Sequence, residues 1–282
     1  MKIKQYFSFL FAFFLIGGLA AQVDLISAKD FAAMMKSEKD LVILDASKAS
    51  TYATNHVKGA IHIDHNSLYR EGDVKGVIKP PAELAEIFGS LGVGDHSKVV
   101  VYDEGSQKYS TRVYWILKYL GKENVSILHK DLAEWRPARI MLTAAVPTPE
   151  PAALTPKVND EVYASLDEVE TDKDLSGYVL VDVRTPDEYN GVKNSEGHIP
   201  GAINLNYEDL LTDTGAFKPK EELEKIAREH GLTSDRGIIF YCKTSVRAAV
   251  AFVAFRDMLG YPNVQVYDGA YNEWVAKHSV VQ

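Results

Sequence analysis

The sequence predicts an α/β fold of two tandem domains, each a parallel sheet with helices on both faces. Three observations lead there. Short apolar runs alternate with helical patterns, the chain repeats itself at a spacing of 139 residues, and a proline-rich stretch separates the two copies. The runs at 41–44, 99–102, 178–181 and 238–241 read as buried strands, with 125–127 and 264–266 as shorter ones. Helical patterns fill 81–91, 111–120, 219–230 and 246–259, the last closed by Gly260 and Pro262. Strands joined through helices pair in parallel, and ligands then bind beyond the carboxyl ends of the strands.

The repeat is carried by specific residues. Lys79-Pro80-Pro81-Ala82-Glu83-Leu84 returns as Lys218-Pro219-Lys220-Glu221-Glu222-Leu223, and Glu134-Trp135 as Glu273-Trp274. Upstream, His56-Val57-Lys58-Gly59-Ala60 parallels His198-Ile199-Pro200-Gly201-Ala202. Pro137, Pro147, Pro149, Pro151 and Pro156 crowd the intervening segment, which suits an extended linker lying against a domain surface. The domains are therefore expected at 22–136 and 161–282, with the linker at 137–160. Residues 1–21 carry Lys2 and Lys4, an apolar stretch and small residues up to Ala21, the layout of a secretory signal peptide. An exported protein, periplasmic or secreted, with no membrane span after cleavage is expected.

The chain has 282 residues with 31 Lys and Arg against 39 Asp and Glu, for a net charge of −8. Losing the signal segment removes two lysines and moves it to −10. An acidic chain without a basic tract is a poor partner for nucleic acid. No phosphate-binding Gly-rich loop and no Cys/His spacing appear, so neither a nucleotide cofactor nor a metal is expected.

The single cysteine, Cys242, follows the buried run 238–241 and precedes Lys243, Thr244, Ser245, Val246 and Arg247, after which alanines open a helix. Backbone N–H groups and the positive end of a helix dipole gather in such a loop, and two cations flank it. This setting favours a thiolate, the form in which cysteine acts as a nucleophile, and would also hold an anionic substrate. One cysteine cannot form an internal disulfide, which in an exported chain points to a working thiol. The repeat places Asp103 where the second copy has Cys242, so the first domain is expected to be inactive.

Four segments together resemble the tandem rhodanese-type sulfurtransferases. They are Asp182-Val183-Arg184-Thr185-Pro186-Asp187-Glu188-Tyr189, Gly197-His198-Ile199-Pro200-Gly201-Ala202, Tyr241-Cys242 through Arg247, and Tyr267-Asp268-Gly269-Ala270. The resemblance spans both halves. It implies an inactive N-terminal and a catalytic C-terminal rhodanese domain, and a Cys242 persulfide that carries sulfur from thiosulfate to cyanide or a thiol. It also implies that residues 243–247 cradle the substrate and that Arg184 points toward it. Cationic loops in the family tend toward thiosulfate and small neutral ones toward 3-mercaptopyruvate, so Lys243 and Arg247 favour thiosulfate, with 3-mercaptopyruvate as the alternative. Ser245 and Arg247 depart from both loop patterns. Two readings of other classes stand beside this one. One is a phosphatase or arsenate reductase using the Cys-Arg loop, against which the Cys-x4-Arg spacing is one residue short. The other is a non-enzymatic sulfur carrier that docks an acceptor protein thiol.

Overall fold

The structure is a computed structural model and describes residues 25–129, 132–172, 177–192 and 195–282. The signal segment expected at 1–21 lies outside the described residues. In the first half β1 (Leu25–Ile26), α1 (Ala28–Ser37), β2 (Leu41–Asp45), α2 (Ala49–Thr54), β3 (His56–Val57) and β4 (Ile61–His62) lead into α3 (Pro81–Ser90). β5 (Lys98–Tyr102), α4 (Lys108–Tyr119), β6 (Val125–Leu128), α5 (Leu132–Ala138) and β7 (Leu142–Thr143) follow. The second half runs β8 (Tyr163–Ala164), α6 (Leu166–Asp172), β9 (Tyr178–Asp182), α7 (Pro186–Tyr189), β10 (Ile203–Asn204) and α8 (Lys220–Glu229). It ends with β11 (Gly237–Tyr241), α9 (Ala248–Phe252), a π-helical turn (Val253–Met258), β12 (Val264–Tyr267) and α10 (Ala270–Val275).

The two main sheets are copies of one another. Their strand orders are β1-β6-β5-β2-β4 and β8-β12-β11-β9-β10, parallel throughout. Register is kept too, with Leu41 opposite Lys98 in one and Tyr178 opposite Gly237 in the other. Val, Ile and aromatic runs occupy the central strands because these are covered on both faces; every residue of β11 is buried. A histidine–tyrosine pair recurs as well. His56 stacks on Tyr52 and contacts its carbonyl through Nδ1, and His198 does the same with Tyr189. These are structural histidines.

The halves meet through equivalent helices. α4 packs on α9, where Ala248, Ala249 and Ala251 are fully buried and let the large side chains of α4 approach closely. Trp115 of α4 donates its Nε1–H to the Val162 carbonyl at 3.0 Å. One hydrophobic core runs through both halves as a result, from Leu44 and Trp115 to Phe252 and Val266.

Two differences from the sequence reading matter. α5 takes in Pro137, and β7 pairs antiparallel with β3, so the proline-rich stretch is structured where it leaves the first domain. Beyond that it lies on the first domain as expected, with Ala152 N–H donating to Gly89 and Lys157 N–H to Leu120. The constant spacing of 139 also breaks locally. Each loop after the central strand contains one left-handed residue other than glycine, on whose carbonyl the first helical hydrogen bond closes. That residue is Gln107, four after Asp103, in the first half, but Ser245, three after Cys242, in the second. The residue saved is absorbed by the π turn. By this geometry Arg247 corresponds to Tyr109, and Lys108 to Val246.

Candidate active site

Cys242 sits at the carboxyl end of β11, 1% exposed, with the loop 243–247 wrapped over it. The loop is pinned from below by α10: the Tyr271 N–H donates to the Cys242 carbonyl at 2.9 Å and the Asn272 N–H to the Lys243 carbonyl at 3.3 Å. Ser245 has φ +59°, a conformation that costs a side-chain-bearing residue on the order of 1 kcal/mol. Its buried hydroxyl donates to the Tyr267 carbonyl, which offsets that cost. Among the described residues, the N–H groups of Thr244, Ser245, Val246 and Arg247 donate to no protein acceptor.

The first domain reveals what such a loop does. Asp103, at the end of β5, receives the N–H groups of Gly105 (2.6 Å), Gln107 (3.2 Å), Tyr109 and Ser110 (both 3.1 Å), together with the Ser110 hydroxyl. The loop is an anion cradle, and there a carboxylate of the chain itself fills it. The second domain has the same strand–loop–helix construction with a thiol in place of the carboxylate.

Arg247 lies beside Cys242 but is not free. Its two terminal nitrogens hold Glu188 in a bidentate pair at 2.7 and 2.9 Å, and both side chains are largely buried. Burial works against its charge, yet Glu188 and then the Cys242 sulfur hold the guanidinium above its ordinary pKa range. Burial likewise opposes the charge on Glu188, but Arg247 and the Thr185 cap bring it down to about 2. Glu188 is placed by a capping box: Thr185 accepts its N–H, and Glu188 accepts from Thr185 in return. Lys243 is exposed, Thr244 and Val246 are half-buried, and all three belong to the loop surface.

Arg184, expected to point toward the substrate, is engaged within the protein. Its guanidinium is buried behind the sheet end, paired with Asp182 at 2.6 Å, bonded to the Gly197 carbonyl and Ser195 hydroxyl, and stacked 4.0 Å over Tyr271. It ties the Gly197–Ala202 turn to β9. Sequence proximity to the motif does not reveal this, because Asp182 precedes it by only two residues and hides the pair inside one strand end.

The first domain supplies the other wall. Gly76 (φ +95°) lies so close to the loop that an added Cβ would come within 2.6 Å of the Thr244 Cβ. Fully buried Arg112 of α4 bonds the Gly76 carbonyl at 3.1 Å and Asp268 at 2.5 Å, while the other Asp268 oxygen accepts the Ile78 N–H at 3.0 Å. Asn272 donates to the Lys75 carbonyl. Between these walls opens a cleft of about 350 Å³, lined by His65, Tyr69, Arg70 and Lys75 of the first domain and Thr244 and Val246 of the second. Tyr69, pushed up to about 12 by burial, contacts His65 through its hydroxyl at 3.1 Å and feels the Cys242 charge. Burial, with help from Arg112, holds His65 below its ordinary value. Sequence reasoning gave no role to Glu188, Arg112, Gly76 or the 65–76 segment. The Thr-x-x-Glu capping pattern was readable, but its second partner lies 59 residues away.

A parallel α/β domain occurring twice, with a cysteine-bearing anion loop in the second copy and its carboxylate-filled twin in the first, defines the class. The Rhodanese-like domain family matches residues 27–138 and 160–277. The chain belongs to that family and is a tandem-domain sulfurtransferase. It is 33% identical over 242 residues to the 3-mercaptopyruvate sulfurtransferase of Escherichia coli, covering 83% of this chain and 85% of that one. It is 28% identical over 239 residues to the thiosulfate sulfurtransferase of Pseudomonas aeruginosa, covering 83% and 88%. The crystal structure of the 3-mercaptopyruvate sulfotransferase SseA from Escherichia coli superposes with a TM-score of 0.78 at 28% identity, over 89% of this chain and 99% of that one.

Proposed function

We propose that Cys242 carries sulfur as a persulfide, taking it from thiosulfate and passing it to cyanide or a thiol. The observation that carries this reading is the Asp103 cradle. Equivalent amides in the second loop donate to no acceptor of the protein, and Cys242 opens that loop as Asp103 opens the first. The Cys242 thiolate attacks the outer sulfur of thiosulfate, a new S–S bond forms, and the donor's S–S bond breaks with its electron pair leaving on sulfite. Negative charge then resides on the outer sulfur, where loop amides stabilise it without reorganising. An acceptor thiolate or cyanide attacks that sulfur, and Cys242 departs as thiolate.

A second donor, 3-mercaptopyruvate, is supported by the Escherichia coli relative and by the state of Arg247. Glu188 neutralises that arginine, so Lys243 is the exposed cation of the loop. The same pairing argues against the phosphatase reading, since a carboxylate occupies the guanidinium that would hold a tetrahedral oxyanion. The test is mass spectrometry of the protein after each donor: Cys242 gains one sulfur atom, and Cys242→Ser gains none. Lys243→Ala lowers kcat/KM for thiosulfate more than for 3-mercaptopyruvate; equal losses remove the argument for thiosulfate. The signal-like residues 1–21 support export, which N-terminal sequencing of protein recovered outside the cytoplasm tests.

A further inference from the structure

The cleft beside the Cys242 loop, which Thr244 and Val246 of that loop line, is larger than the reaction's small substrates require. At about 30 Å³ per water, its 350 Å³ holds about a dozen, a size at the lower end of sites for small organic molecules. Thiosulfate and cyanide fill little of it. Most of its lining comes from the first domain, which has no thiol of its own.

The charges on that lining are unusual for this molecule. The chain has an excess of acids, 39 against 31 cations. Here, though, Arg70 and Lys75 are exposed and, among the described residues, neither pairs with an acid. Lys243 is exposed on the adjoining loop, and Glu71 is the single acid of the lining. Burial of His65 disfavours its cationic form, so the positive field belongs to Arg70 and Lys75. The backbone that carries Lys75 is fixed by the domain contact. Gly76 abuts Thr244, the Lys75 carbonyl accepts from Asn272, and Arg112 clamps the Gly76 carbonyl to Asp268.

We propose that this cleft receives the acceptor, and that the acceptor is a small thiol bearing carboxylates, which Arg70 and Lys75 of the first domain hold while its sulfur reaches Cys242. The inference rests on the persulfide reading above. The bound thiolate attacks the outer sulfur of the Cys242 persulfide. The new S–S bond forms on that sulfur, the old one breaks, and its electron pair leaves with Cys242 Sγ. The acceptor departs as its own persulfide, keeping any proton on the transferred sulfur, and no oxidant or reductant is needed. The catalytically silent domain thereby selects which thiol is served.

The experiment separates the two half-reactions. The full-length protein is loaded with thiosulfate, and the added sulfur on Cys242 is confirmed by mass before any acceptor is added. Failure to load would sink the persulfide reading itself. Loaded protein is then discharged in single turnovers with mercaptosuccinate, 2-mercaptoethanol or cysteamine, and rates are expressed per thiolate. The ratio of mercaptosuccinate to 2-mercaptoethanol rates in the native protein is the reference. It falls about tenfold in Arg70→Ala/Lys75→Ala, and Arg70→Glu/Lys75→Glu shifts preference to cysteamine. An unchanged ratio in both variants overturns the inference, as does an equal loss with all three thiols. A loss confined to the loading step would assign the cations to the donor and overturn it too.

Discussion

Glu188 lies one residue removed from Cys242 and sets the geometry of the arginine beside it. Its carboxylate fixes the plane of Arg247, and Arg247 in turn lies against Cys242. Replacing it by Gln keeps the shape and removes the charge, so Arg247 loses its bidentate partner and kcat/KM for sulfur transfer falls about tenfold. Stability responds with a definite sign. The folded protein holds Glu188 at about 2, below its ordinary 4.5, so its contribution is complete above the ordinary value and is lost as pH falls toward 2. Native protein is therefore more stable than Glu188→Gln by on the order of 2 kcal/mol at neutral pH, after allowance for solvent screening, and the gap closes between about pH 4.5 and 2. Urea unfolding at several pH values measures it. At this scale the sequence placed Cys242 and its loop at a strand end, as the structure has them, because a lone cysteine after a buried apolar run has a local signature. Partners such as Glu188 for Arg247, and Asp268 for Arg112, meet only through the fold, so residue type alone could not pair them. The pairing of Arg184 was hidden for the opposite reason: its partner Asp182 is adjacent, and an inward-facing pair reads in sequence like an outward-facing one.

At the scale of elements, one construction is used twice with different fillings. In the first domain the strand–loop–helix unit closes on its own carboxylate, and Asp103→Ala strips several N–H groups of their acceptor at once. Each buried donor left unmade costs about 1–3 kcal/mol, partly relieved by water. The variant is expected to unfold at lower temperature by calorimetry while keeping most of its sulfur transfer, since Asp103 lies outside the reacting loop. Gly76 is the counterpart test on the other side of the cleft. Gly76→Ala places a methyl against Thr244 at a positive φ, so both stability and kcat/KM should drop, the latter about tenfold. Normal kinetics would show that the two walls are independent. The six longer strands and four of the helices were legible from apolar periodicity, whereas short strands such as β1, β8 and β10 and helices such as α1 and α10 were not, and the repeat pointed only to two alike sheets. The π turn was not legible, because a one-residue shortening of the loop and a one-residue widening of the helix cancel in the spacing that the sequence displays.

Across the described residues, the two domains are joined by a continuous core and by a buried ion pair, Arg112 with Asp268. Arg112 also lies over the rings of Tyr69 and Trp115. Arg112→Met removes one partner and strands the Asp268 carboxylate without it, a loss of about 3–5 kcal/mol for a buried pair. Because the pair bridges the domains, the variant should show two separated thermal transitions and a slower discharge of sulfur; a single transition at the native temperature would show that the apolar contact between α4 and α9 suffices. The duplication itself was plain in the sequence, whereas the role of the disarmed half as a wall of the site needed the arrangement in space. With just one sulfhydryl in the chain, a protein loaded with sulfur at Cys242 would have nothing of its own on which to unload. It could not relieve itself by closing an internal bridge, so how long such a cargo waited would be decided wholly by what diffuses in from outside.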